Sequence, residues 1–271
     1  MIKNLKSALA VMCALGVVAP SAVAAKTLKE ITFGVDPTYP PYESLTPTGQ
    51  FVGFDIDLGK AICAELKVKC VFVSQSFEGI IPALEARKFD AILSSMEVTP
   101  ERAKQINFSS EMFYGPNTLV VPKNSDITPA LATLKGKTVG VEAGTIQESY
   151  AKAYWQPEGV KVVSYQNQDQ VYADLLSGRL DASFQSAVQA EYGFLNMPRG
   201  KGFKLGGNVT YDPKDILGSY VAIGVRKNEP ELLKKINWAI AQLHTTGEYD
   251  KIQAKYFTFS IYNAEAAKQA P

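Results

Sequence analysis

Two stretches carry residue types and spacings suited to holding a small anion. Ser94–Arg102 reads Ser-Ser-Met-Glu-Val-Thr-Pro-Glu-Arg, and Gly140–Gln147 reads Gly-Val-Glu-Ala-Gly-Thr-Ile-Gln. Each has the pattern of a strand end, a loop and a helix start, a junction that leaves backbone N–H groups free for a carboxylate. Arg102 adds a planar cation that can grip a carboxylate through two hydrogen bonds. It falls in the first turn of a helix that Thr99 caps and Pro100 opens, where a cation works against the helix dipole, so a role outside the helix is the better reason for it. His244 is the single histidine, which leaves no Ser-His-Asp set and no histidine metal cluster. Two half-sites of this kind without a catalytic group point to capture of a small zwitterion rather than chemistry on it. Each residue also has a plain structural reading: Ser94 and Ser95 as turn residues, Gly144-Thr145 as an ordinary helix entry, Asp36 as the acid before Pro37, Glu97 and Glu142 as rim charges.

The chain start has the features of an export signal. Lys3 and Lys6 precede the apolar run Ala8–Ala19, and Ala22-Val23-Ala24 fits a cleavage site, with Val23-Ala24-Ala25 as its competitor. The run is too short for an ordinary membrane span, and Cys13 is read as a passenger in this segment. Removing the two lysines from 28 basic residues leaves 26 against 27 acidic ones. That balance argues against a nucleic-acid partner, which needs a basic face. Cys63 and Cys70 are then the remaining cysteines, and an even pair in an exported chain reads as a disulfide.

Strands alternate with helices along the rest. Ile31–Val35, Val71–Val73 and Ala91–Leu93 read as strands. Phe54–Leu66, with apolar residues at Ile56, Leu58, Ile62 and Leu66, reads as a helix, as does Gly79–Ala86. The pattern restarts with strands at Thr118–Val121, Thr138–Val141, Val160–Tyr165 and Asp181–Phe184. Helices are expected at Thr145–Tyr154, at Asp169–Leu176 with Asp169 as cap, and at Val188–Leu195. A last strand at Tyr220–Val225 and helices at Glu229–Leu243 and Tyr249–Tyr256 follow. The spacing predicts an α/β fold of two similar lobes with mostly parallel sheets flanked by helices. Residues 26–114 plus 219–263 form the first lobe and 118–210 the second. Segments 115–117 and 211–218 cross between them as a hinge, a known route to closure around a ligand. Residues 1–25 are the signal and 264–271 a fraying tail.

Several segments in order carry a family resemblance: Phe54-Asp55-Ile56-Asp57-Leu58, the Cys63–Cys70 pair, Phe77-Glu78-Gly79-Ile80-Ile81-Pro82, Ser94-Ser95, Thr99-Pro100-Glu101-Arg102, Gly144-Thr145 and Tyr249–Phe257. The chain resembles the periplasmic substrate-binding proteins of polar amino-acid ABC importers, solute-binding family 3, and most of all their lysine/arginine/ornithine- and histidine-binding group. The resemblance implies the type II periplasmic binding protein fold, closing on one amino acid. It implies a periplasmic protein that acts as a monomer, uses no cofactor and delivers its ligand to an ABC permease in the inner membrane. It places the ligand side chain against Asp36, Tyr39 and Phe77. The α-carboxylate falls to Ser94, Ser95, Arg102 and the helix start Gly144, Thr145 and Ile146.

The departures from the family pattern are informative. Ser186 stands where family members have the acid that holds the α-ammonium group. Glu97 replaces a small residue, Glu142 an apolar one, and Ile146 a common threonine. Three carboxylates around one arginine would demand a strongly cationic ligand. The first expectation is therefore a binder of arginine, ornithine or lysine, with Glu97 or Glu142 replacing the missing acid. The alternative is an N-substituted, opine-like amino acid, for which the small Ser186 leaves room. A remote alternative is an exported enzyme on the same scaffold, of the dehydratase type, with a cleft glutamate as acid or base.

Overall fold

The computed structural model describes residues 28–218 and 220–262. The expected export signal and its cleavage point, and the expected tail, lie outside the described residues. No helix among the described residues is long and apolar enough to cross a membrane.

Two five-stranded sheets organise the chain. The first runs in the order Lys69–Ser74, Glu30–Val35, Ala91–Ile92, Gly224–Arg226, Ile106–Phe108. The second runs Lys161–Tyr165, Thr138–Glu142, Ala182–Ser186, Asn117–Pro122, Phe203–Asn208. In each, the first three strands pair in parallel through helical crossovers. The fourth strand is antiparallel to both of its neighbours. The sheets are thus mixed, because Gly224–Arg226 and Asn117–Pro122 enter from the other lobe and not from a βαβ unit. The expected strand over Tyr220–Val225 is shorter than its composition suggested. Val221 instead bridges singly to both Glu97 and Phe113, and the ladder begins at Gly224.

Sequence chemistry explains the helices that matter for the cleft. Phe54–Leu66 buries Phe54, Ile56, Leu58 and Ile62 and ends at Lys67, in the left-handed conformation. Gly53 precedes it at φ 130°, where a Cβ would stand 2.2 Å from the Tyr42 carbonyl oxygen, so no other residue fits. Pro100–Gln105 is capped as expected: the Thr99 hydroxyl accepts from the Arg102 N–H and Pro100 occupies the first position. Gln168–Leu176 is capped by Asn167, not Asp169; Asp169 lies in the first turn. The helices expected to reach Tyr154 and Leu195 change after Tyr150 and Ala190 into wider turns, Ala151–Trp155 and Glu191–Leu195. A small three-stranded sheet, Thr38–Tyr39, Glu43–Leu45 and Phe51–Val52, stands on the first lobe. It presents Tyr39, which stacks on Tyr42, itself stacked on Phe113.

The Cys63 and Cys70 sulfurs are bonded, with Cα atoms 5.7 Å apart. The bridge ties the last turn of the first helix to the next strand. His244 packs against the rings of Tyr249 and Tyr262, in the C-terminal part of the first lobe.

Candidate functional site

The two lobes meet over a hollow that gathers residues far apart in sequence. Asp36, Tyr39, Phe77, Ser94, Ser95, Glu97, Glu142 and Thr145 line it, joined by Glu43 and Gln147. Tyr39 borders two further hollows. One reaches into the second lobe past Glu142, Gln168 and Gln185. The other lies between Ser186, Asn117, Gly115 and Tyr220. A larger open groove by Leu28, Asp90 and Pro230 contains none of the residues expected from the sequence.

Asp36 directly follows the strand Glu30–Val35 and is buried at 5% exposure. One carboxylate oxygen accepts from the Phe77 N–H at 2.8 Å and the other from the Thr38 hydroxyl at 2.8 Å. These bonds orient the group, yet burial raises its pKa above the ordinary value. Phe77 does double duty: its N–H fixes Asp36, and its ring lies under the Arg102 guanidinium, 5.3 Å from the centroid.

Ser94 and Ser95 form the turn after the third strand. Ser95 adopts φ 48°, a left-handed conformation costly for a non-glycine residue. It is held there by its N–H, which donates to Asp55 at 2.9 Å. The Ser94 hydroxyl donates to Glu43 and accepts from the Asp36 N–H. The Ser95 hydroxyl lies 3.1 Å from Glu43 and 3.3 Å from Asp55. The serines are thus engaged by two buried acids that sequence reasoning did not assign to the site. Burial pushes Asp55 up to about 7, and burial together with Asp55 pushes Glu43 well above the usual carboxylate range. No spacing rule flags Glu43, and Asp55 enters the sequence reading only within the family segment Phe54–Leu58.

Arg102 is 7% exposed. Its Nη1 donates to the Glu97 carbonyl at 2.8 Å and lies 3.4 Å from the Glu97 carboxylate. Its Nη2 donates across the cleft to the Gly144 carbonyl at 3.1 Å. The guanidinium is therefore engaged by Glu97 on its own lobe and by the second lobe's helix entry. Burial raises the pKa of Glu97, and the adjoining Arg102 opposes the shift.

On the second lobe, the Thr145 hydroxyl caps the short helix Ile146–Tyr150 by accepting from the Glu148 N–H. It also donates to the Glu142 carbonyl at 2.7 Å. The Gly144 N–H donates to the Glu148 side chain at 2.7 Å, so one of the helix-entry amides is already taken. Gly144 sits at φ +79° against Glu78 of the first lobe. Ile146 does not line the hollow; its side chain is buried in the second lobe's core with Val141, Tyr150 and Phe184. Ser186 caps Ala187–Ala190 and faces the hollow that it shares with Gly115, Asn117 and Tyr220. Glu142 is 5% exposed, and its carboxylate has no hydrogen-bond partner among the described residues. Burial, then Asp36, Asp169 and Glu97 nearby, drive its pKa well above the ordinary value.

Four acids, Asp36, Glu43, Glu97 and Glu142, thus line a hollow with two aromatic rings, while Arg102 stands behind Glu97 and Phe77 rather than in the lining. A cation fits that field, and the rings suit a guanidinium face or an alkyl stem.

Comparison with known proteins gives a consistent picture. The profile of the bacterial extracellular solute-binding proteins, family 3, matches residues 31–259. The histidine-binding periplasmic protein of Salmonella typhimurium is 43% identical over 257 residues, covering 95% of this chain and 98% of that one. The lysine/arginine/ornithine-binding periplasmic protein of Escherichia coli is 43% identical over 257 residues, again 95% and 98% of the two chains. Among solved structures, an ancestral arginine-binding protein bound to arginine superposes with a TM-score of 0.79 at 38% identity, over 85% of this chain and 99% of that one.

Proposed function

We propose a ligand class for this chain, which belongs to the bacterial extracellular solute-binding proteins, family 3: it captures a cationic amino acid of the arginine, ornithine or lysine type. It does so in the periplasm, as a monomer, and delivers the ligand to an ABC permease in the inner membrane. The observation that carries this reading is the excess of buried carboxylates over cations in the interlobe hollow. Burying like charges is unfavourable unless a cation enters with the ligand. Asp36, Tyr39 and Phe77 take the ligand's side-chain cation. Glu142 or Glu97 takes the α-ammonium group in place of the family's acid at position 186. Arg102 and the Gly144-Thr145 entry receive the carboxylate. Segments 115–117 and 211–218 act as the hinge, and closure presents both lobes to the permease. The similarity of the chain to binding proteins along its length supports binding over catalysis.

One observation favours a second reading. The short Ser186 side chain borders a hollow separate from the one lined by Asp36 and Glu142, and a substituent on the α-nitrogen would enter it. An opine-like ligand would use it. Titration calorimetry with arginine, lysine, ornithine, histidine and octopine separates the readings. Heat with a cationic amino acid supports the first; heat with octopine alone supports the second. No heat with any of them sinks both.

A further inference from the structure

The arginine behind the interlobe hollow already has an anion, the Glu97 carboxylate that lines it. Arg102 gives Nη1 to the Glu97 backbone carbonyl and carboxylate and Nη2 to the Gly144 carbonyl. The side chains of this pair are 9% and 19% exposed. A ligand carboxylate that is to take the guanidinium in a two-pronged grip must first draw it away from Glu97. Glu97 would then be left uncompensated in a hollow it shares with Asp36 and Glu142. Losing one partner of a buried ion pair is costly, because the other charge stays behind.

We propose that Glu97 acts as a built-in carboxylate for Arg102, so that the hollow accepts an alkylamine with cations at both ends and no carboxylate as readily as the matching amino acid. This deepens the cationic-ligand reading above and rests on it. The lining agrees: Asp36, Glu43, Glu97 and Glu142 all border the hollow, so a ligand without a carboxylate brings no further acid to them. Each end of such a ligand has a partner. Asp36 is held by single hydrogen bonds to each oxygen and keeps lone pairs free, beside the rings of Tyr39 and Phe77. Glu142 is 95% buried, borders the hollow and has no partner of its own among the described residues. The binding step is a charge pairing in which no covalent bond changes.

The probes are agmatine and arginine, which differ by the carboxylate alone, titrated into the whole protein and into Glu97→Ser. The wild type is expected to bind agmatine no worse than tenfold weaker than arginine. In Glu97→Ser the guanidinium loses its carboxylate partner, and the ratio shifts at least tenfold toward arginine. Glu97→Gln keeps the side-chain volume and shifts the ratio the same way. Wild-type arginine binding more than tenfold tighter than agmatine overturns the proposal, as does a ratio unmoved by both variants. In either case the cationic-ligand reading survives. If arginine, lysine, ornithine and agmatine all fail to bind the wild type, both fall.

Discussion

Gly193 on the second lobe lies so close to Pro40 on the first that a methyl group added to it would stand 2.6 Å from the Pro40 carbonyl oxygen. Gly193 has no positive φ and sits in the turn Glu191–Leu195, so alanine suits its backbone. Gly193→Ala is therefore expected to obstruct closure alone. Ligand affinity should fall by about tenfold or more, while the empty protein melts at or above the wild-type temperature, since alanine in a helical turn is favoured by about 0.5–1 kcal/mol. Calorimetry paired with thermal melts checks both; unchanged affinity would mean that the lobes do not need this contact to hold ligand.

Glu142 makes a prediction about protons. In the empty protein its carboxyl is held above its ordinary pKa, chiefly by burial. An arriving cation favours the charged form, so binding near neutral pH releases protons and affinity rises with pH. Titrations in two buffers of different ionisation enthalpy measure the release. Glu142→Gln should abolish most of it and weaken binding about ten- to hundredfold, the loss of a charged hydrogen bond of roughly 1.5–3 kcal/mol. The variant should melt no lower than the wild type.

Glu43 and Asp55, 1% and 0% exposed, set a pH dependence of stability. Asp55 is pushed up to about 7 from 3.8, and Glu43 is raised as well. The folded protein thus keeps protons that the unfolded chain gives up. The stabilisation from this pair is complete below about pH 4 and is lost as pH rises through 7, at up to about 1.4 kcal/mol per pH unit for each proton. Between pH 5 and 8 the wild type should lose at least about 1 kcal/mol more than Glu43→Gln, read from urea midpoints. Equal losses would show that the pair holds no extra proton.

The Cys63–Cys70 bridge closes a short loop at the edge of the first lobe, away from the hollow. Loop-closure entropy gives it about 2–3 kcal/mol. In a protein of this size that is a Tm change of about 5–10 °C. The double variant Cys63→Ala/Cys70→Ala should show that drop with ligand affinity retained. A large loss of affinity would place the bridge in the closing mechanism instead.

What was legible in the chain was what is local. Thr99, Pro100 and Arg102 lie within one helical turn, and their roles in the helix entry follow from capping rules alone. The meeting of Glu97 with Glu142 across two lobes has no local signature; it was expected because a family pattern put both near one ligand. Glu43 escaped notice because nothing beside it in sequence marks a buried acid. Its role depends on Ser95 bending left-handed to bring two hydroxyls within reach. Asn167 and Asp169 are both competent caps two residues apart, and only the backbone path into the helix decides between them. The antiparallel strand in each sheet arrives from the opposite lobe, a fact of long-range topology that periodicity does not carry.

The strand Gly224–Arg226 lies between Ala91–Ile92 and Ile106–Phe108. The first lobe therefore lacks its keystone until the ribosome has made almost everything else. The second lobe, drawn from one unbroken stretch, has no such wait. A nascent chain of this design can finish its second lobe first, and its ligand cleft comes into being only once Gly224–Arg226 has been made and inserted.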